Sequence, residues 1–195
     1  MVAEARAGQH RGMTEPPDLR VRRASRSDAG AVVAIYNEGI AERQATFETD
    51  ARRPRDVIGR LASKSHPALV AEDGDEVVGW AWIAPYSERE AYAGVAECSV
   101  YVRAAARGRG AGTRLTQDLA TEAELRGFHK LLGKLFTTNQ ASLRLVRRCG
   151  FREVGVHRSH GRLEGEWRDV VLVELLLGEA ARSAHVPRSA VTQPR

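Results

Sequence analysis

From Leu19 onward, apolar and polar positions fall into blocks whose period switches between about two and about four residues. Leu19-Arg20-Val21-Arg22 alternates and predicts a first strand. Ser27-Asp28 reads as a helix start, after which Val32, Tyr36 and Ile40 recur at helical spacing. Pro54 fits the first turn of a second helix that ends near Ser65. The stretches 67–72 and 76–84 flank Asp73-Gly74-Asp75, a hairpin turn. A loop from Pro85 to Gly94 leads into a strand over 95–102. A glycine-rich turn then opens a helix that runs to about Arg126, with Leu115, Leu119 and Ala123 on one face. Gly127 stops that helix. Leu131–Thr137 predicts a buried strand, and Asn139–Cys149 a short helix with Ser142, Leu145, Val146 and Cys149 sharing a face. Two strands near 151–160 and 167–177, joined through Gly161–Gly165, complete the pattern. Residues 1–18 are aperiodic and read as a disordered extension, and 179–195 as a flexible tail, leaving one domain over 19–178. Interleaved strands and helices predict an α/β fold, a mixed sheet flanked by helices.

Composition narrows the classes. Hydrophobic residues make up 43% of the 195, enough for a core. No apolar run approaches the ~20 residues that span a bilayer, and no secretory leader pattern opens the chain, so the cytoplasm is the expected compartment. The two cysteines, Cys98 and Cys149, have no metal-like spacing and read as small core residues; no metal is expected. The net charge of +5 raises a nucleic-acid reading. Against it, aromatics are only 6% and none interrupts the arginine clusters. One cluster (Arg103, Arg107, Arg109, Arg114) brackets the glycine turn and suits phosphates; the other (Arg144, Arg147, Arg148, Arg152) reads as solvated surface.

The turn itself is Arg107-Gly108-Arg109-Gly110-Ala111-Gly112. Glycines that open a helix bring free N–H groups and the positive end of the helix dipole to one point, a cradle for a phosphate-bearing ligand. The spacing matches neither the dinucleotide fingerprint nor the nucleotide-triphosphatase loop, because no Lys-Ser or Lys-Thr follows.

This turn, the Asn139-Gln140-Ala141-Ser142 helix start and Gly150-Phe151 together resemble the GNAT N-acetyltransferase superfamily. Ile35-Tyr36-Asn37, Ala45-Thr46-Phe47-Glu48-Thr49, Gly79-Trp80-Ala81, Glu97 with Ser99-Val100-Tyr101-Val102, and Gly165-Glu166-Trp167-Arg168-Asp169 look like its phosphinothricin branch. The wording around Glu42–Thr49 is similar to the arsinothricin N-acetyltransferases. The resemblance implies a mixed sheet of about seven strands with about four helices, splayed at the fourth and fifth strands. It implies acetyl-coenzyme A as co-substrate, a small amino acid as acceptor, a homodimer, and no nucleic-acid or membrane partner.

Site residues follow from the same resemblance. Glu97 is the candidate general base. Val100, Tyr101, Val102, Arg107, Gly108, Arg109, Gly110, Ala111, Gly112, Thr113, Asn139 and Ser142 are the candidates for binding the acyl carrier. A glutamate-like acceptor calls for guanidinium groups, for which Arg43 and Arg89 are candidates, with Tyr36, Phe47 and Tyr92 as walls and His157 or His160 nearby. The loop 85–94 reads as a lid. Many superfamily members protonate the leaving thiolate with a Tyr where this chain has Val146. Other acceptors (methionine sulfoximine or sulfone, another amino acid, a protein N-terminus) and a non-catalytic acyl-coenzyme A binder remain as alternatives.

Overall fold

The computed structural model describes residues 19–184, so the N-terminal extension expected over 1–18 lies outside the described residues. Strands β1 (Leu19–Arg23), β2 (Ala68–Asp73), β3 (Glu76–Pro85), β4 (Val95–Val102), β5 (Lys130–Phe136), β6 (Arg152–Leu163) and β7 (Glu166–Leu176) form one sheet in the order β1-β2-β3-β4-β5-β7-β6. Every neighbouring pair is antiparallel except β4 with β5, so the sheet is mixed.

Alternation along the strands gives the sheet two apolar faces. Ala68, Val70, Trp80 and Trp82 pack under α1 (Ala29–Ala41) and α2 (Pro54–Leu61). Leu69, Ala71, Ala81 and Ile83 pack under α3 (Ala111–Glu124) and α4 (Gln140–Arg148). At the start of α1, Asp28 accepts from the main-chain N–H of Ser25 at 2.7 Å and from Arg22 at 2.8 Å. That Arg22 contact, together with the Ser25 bonds, outweighs burial and holds the Asp28 carboxyl down at about 2.

Three boundaries differ from the sequence reading. Helix α2 ends at Leu61 rather than near Ser65. Strand β6 continues to Leu163, and the turn is only Glu164-Gly165, both at positive φ (51° and 85°). Gly161 belongs to the strand for a packing reason, since a Cβ there would lie 2.8 Å from the Phe47 ring. The stretch expected as loose from 179 instead opens with a fifth helix, α5 (Gly178–Ala184), in keeping with the helix propensity of Glu-Ala-Ala.

Candidate active site

Strand β4 carries the site. It pairs with β3 as far as Val102, but with β5 only where Val95–Glu97 face Lys130–Leu132. Past Glu97 the two strands part, and among the described residues the edge of β4 from Cys98 to Val102 has no strand partner on that side. Val100 and Val102 pack toward α3, while Tyr101 stacks on Trp80 with ring centroids 4.6 Å apart on the opposite face. Glu97 and Ser99 share that second face by alternation.

The glycine turn follows β4 at the open end. Gly108 and Gly110 sit at φ 78° and 95°, a left-handed conformation that a side chain would strain. Gly112 is needed for space: a Cβ there would meet Leu145 of α4 at 3.2 Å. Among the described residues, no main-chain N–H from Gly108 to Thr113 finds an acceptor; the first helical bond is Arg114 N–H to Gly110 O at 3.0 Å. These free donors and the helix dipole make an anion cradle.

A cleft of about 370 Å³ lies between this turn, the free β4 edge, the end of α1 and the exposed stripe of α4. Every residue expected to hold the acyl carrier lines it except Arg109, whose guanidinium turns out to Asp73 at 2.7 Å. Arg107 lines the cleft but also donates to Glu42 at 2.9 Å and to Val102 O at 3.0 Å. Asn139 caps α4 by accepting from Ser142 N–H, and its amide donates to Gln44 O at 3.0 Å. The cleft also contains Arg144 and Arg148, which the sequence reading left as solvated surface. Neither guanidinium makes an ion pair or hydrogen bond with a described residue. Their spacing with Ala141 and Leu145 is a helical stripe, but its direction is set by the packing of α4, which turns Leu143 and Val146 to the core and this stripe to the cleft.

The opposite face is roofed by the connection 42–53. The Tyr36 ring lies edge-on to Trp80, Trp82 and Tyr101 at 5.4, 6.2 and 4.9 Å. Its hydroxyl donates to Glu48 at 3.0 Å, and the Tyr101 hydroxyl donates to Ala45 O at 3.3 Å. Burial, then the Glu48 charge, pushes the Tyr36 phenol up; burial does the same to Tyr101 more strongly. Phe47 packs edge-on to Phe136 at 4.8 Å, and its ring is 6.4 Å from His160, which lies against His157. Burial pushes the Cys98 thiol up to about 12, which agrees with a packing role.

Several acceptor-side candidates stand apart from this cluster. Arg43 is held by the fold, donating to Glu164 and to Ile40 O, each at 2.8 Å. Arg89 lies over Tyr92 at 5.9 Å, in a solvent-exposed connection that leaves the sheet where Pro85 faces Ala96, the Glu97 end of β4. The segment 42–45 lines the acyl-carrier cleft through Glu42, Gln44 and Ala45, and the loop 85–94 does not. Val146 packs against the core, as its apolar side chain requires. Glu97 accepts a hydrogen bond from Lys134 Nζ at 2.7 Å, a partner the sequence reading did not identify. Among the described residues, no cluster of His, Cys, Asp and Glu is arranged to hold a metal ion.

Comparison with known proteins agrees with this architecture. The acetyltransferase (GNAT) family model matches residues 32–151. The L-methionine sulfoximine/L-methionine sulfone acetyltransferase of Pseudomonas aeruginosa is 34% identical over 179 residues, covering 84% of this chain and 97% of that protein. The phosphinothricin N-acetyltransferase of Streptomyces coelicolor is 33% identical over 165 residues, covering 80% and 95%. The crystal structure of a GNAT superfamily phosphinothricin acetyltransferase from Sinorhizobium meliloti, in complex with AcCoA, superposes with a TM-score of 0.78 at 26% identity, covering 84% of this chain and 91% of that one. A β4 edge freed beside a turn of unpaired N–H groups is thus found in a chain that belongs to the acetyltransferase (GNAT) family.

Proposed function

We propose that this protein transfers the acetyl group of acetyl-coenzyme A directly to the α-amino group of a small glutamate-like amino acid of the phosphinothricin or arsinothricin type. The carrying observation is the parting of β4 from β5 at Glu97, beside a turn whose donors have no acceptor among the described residues. The residues fit a diphosphate: free N–H groups from Gly108 to Thr113 with Arg107, Arg144 and Arg148 lining one cleft. Acetyl-coenzyme A supplies the activated acyl carbon. Main-chain N–H groups on the free β4 edge bind the pantetheine arm and hold the carbonyl oxygen. Glu97 accepts the proton that the acceptor ammonium must lose, directly or through a water. Tyr36 and Phe47 wall the acceptor side, with Arg89, Tyr92 and His160 at its margin. Relatives named for phosphinothricin and methionine sulfoximine support the substrate class. Acetylation of such an amine would inactivate an antibiotic or herbicide of this type in the cytoplasm. The exposed Trp167, under Arg162 at 4.3 Å on the β6–β7 hairpin, supports a homodimer through that hairpin.

The test is a thiol-release assay across phosphinothricin, arsinothricin, methionine sulfoximine, glutamate and short peptides. Turnover on the amino acids is expected. Glu97→Gln should lose about a hundredfold or more of it while keeping acetyl-coenzyme A affinity by calorimetry. Turnover confined to peptides would overturn the substrate class, and an unaffected Glu97→Gln would overturn the base.

A further inference from the structure

We infer that Lys134 is a specificity-determining residue that binds the α-carboxylate of the acceptor amino acid, taking it in exchange for Glu97. The inference rests on the proposed function and adds a residue that nothing in the sequence pattern assigned.

Lys134 lies on β5 just beyond the last residues paired with β4, so it stands at the mouth of the parting strands. Its Nζ donates to Glu97 Oε1 at 2.7 Å, across the gap rather than along a strand. Alternation places it on the face that carries Phe136, against which Phe47 of the roofing connection packs. It therefore looks toward the acceptor side, away from the α3–α4 core and its glycine turn. Both partners remain partly solvated, with side-chain exposures of 48% for Lys134 and 35% for Glu97. A pair this exposed contributes little to stability and can be opened by a competing ion.

The chemistry of an α-amino acid matches this pair. It carries an ammonium and a carboxylate on one carbon, and Glu97–Lys134 presents the opposite charges side by side. Docked antiparallel, the substrate ammonium meets Glu97 and its carboxylate meets Lys134, each replacing the contact the other protein charge had supplied. The exchange leaves no charge without a partner, so the desolvation cost of isolating one ion is avoided. It also turns the Glu97 carboxylate toward the nitrogen that must be deprotonated. A plain amine can bind Glu97 only by leaving Lys134 alone. Arg43, the sequence-based choice for such an anion, is already held by Glu164 and Ile40 O.

The experiment compares each amino acid with its own α-carboxamide, for example methionine sulfone and phosphinothricin against their amides, in wild type, Lys134→Gln and Lys134→Arg. Acetyl-coenzyme A affinity is measured in parallel by calorimetry. Wild type should prefer the acid by about tenfold to a hundredfold in kcat/KM, the scale of one charge-assisted hydrogen bond. Lys134→Gln should erase most of that preference, chiefly through a higher KM for the acid, without lowering kcat/KM for the amide, and should leave cofactor affinity unchanged. Lys134→Arg should restore the preference. A preference that survives in Lys134→Gln, or its absence from wild type, overturns the inference while the proposed function stands. Equal losses on acid and amide in Lys134→Gln also overturn it, because Lys134 would then serve Glu97 alone. If wild type acetylates none of the amino acids, the proposed function falls and this inference with it.

Discussion

Two groups of arginines surround the same cleft and behave oppositely. Around the glycine turn, Arg103 pairs with Glu38 and Glu76, Arg107 with Glu42, Arg109 with Asp73 and Arg114 with Asp118. On α4, Arg147 pairs with Glu153, but Arg144 and Arg148 line the cleft without an acidic partner among the described residues. The first group is nearer to the phosphate cradle in sequence, yet its charges are largely neutralised by the fold. The second group is farther along the chain, yet two of its charges face the cleft with no counterion among the described residues. Proximity in sequence therefore points to the main-chain donors, while freedom from partners points to the side chains that a phosphate ligand would meet.

The sharpest way to break this contrast is the double substitution Arg144→Ala/Arg148→Ala. It should weaken acetyl-coenzyme A binding by about a hundredfold, and each single change by about tenfold, measured by calorimetry at fixed ionic strength. Unchanged affinity would return both arginines to the solvated surface. The paired side of the contrast is tested next, at the better buried Arg22–Asp28 bridge. Because the Asp28 carboxyl is held down at about 2 from its ordinary 3.8, its contribution is complete above about pH 4 and is lost as pH falls toward 2. Asp28→Asn should cost on the order of 2 kcal/mol at neutral pH and flatten the acid limb of the stability curve, followed by denaturant unfolding. The smallest effects belong to the exposed pairs. Arg109→Ala and Arg114→Ala should each leave cofactor affinity within about twofold and stability within about 0.5 kcal/mol.

The order of elements was legible because burial imposes a period on each of them. The hairpin turn at Gly74, the Asn139 cap and the left-handed glycines of the turn declare themselves locally, since each satisfies a main-chain requirement within a few residues. Glu97 was found through the wording of β4, and the structure puts it at the point where β4 leaves β5. Gly161 misled for an instructive reason: a glycine between strands reads as a turn, but here it makes room for a ring more than a hundred residues earlier in the chain.

Local spacing therefore determined the α/β pattern, the anion-binding turn and the strand bearing Glu97, because hydrogen bonding and alternation act between near neighbours. Tertiary structure alone decided which cations remain free. It sent Arg109 to Asp73 and Arg43 to Glu164, left Arg144 and Arg148 open to the cleft, and brought Lys134 to Glu97. An ion pair depends on where two side chains end in space, and for these residues the partners lie on different elements, a separation no periodicity encodes.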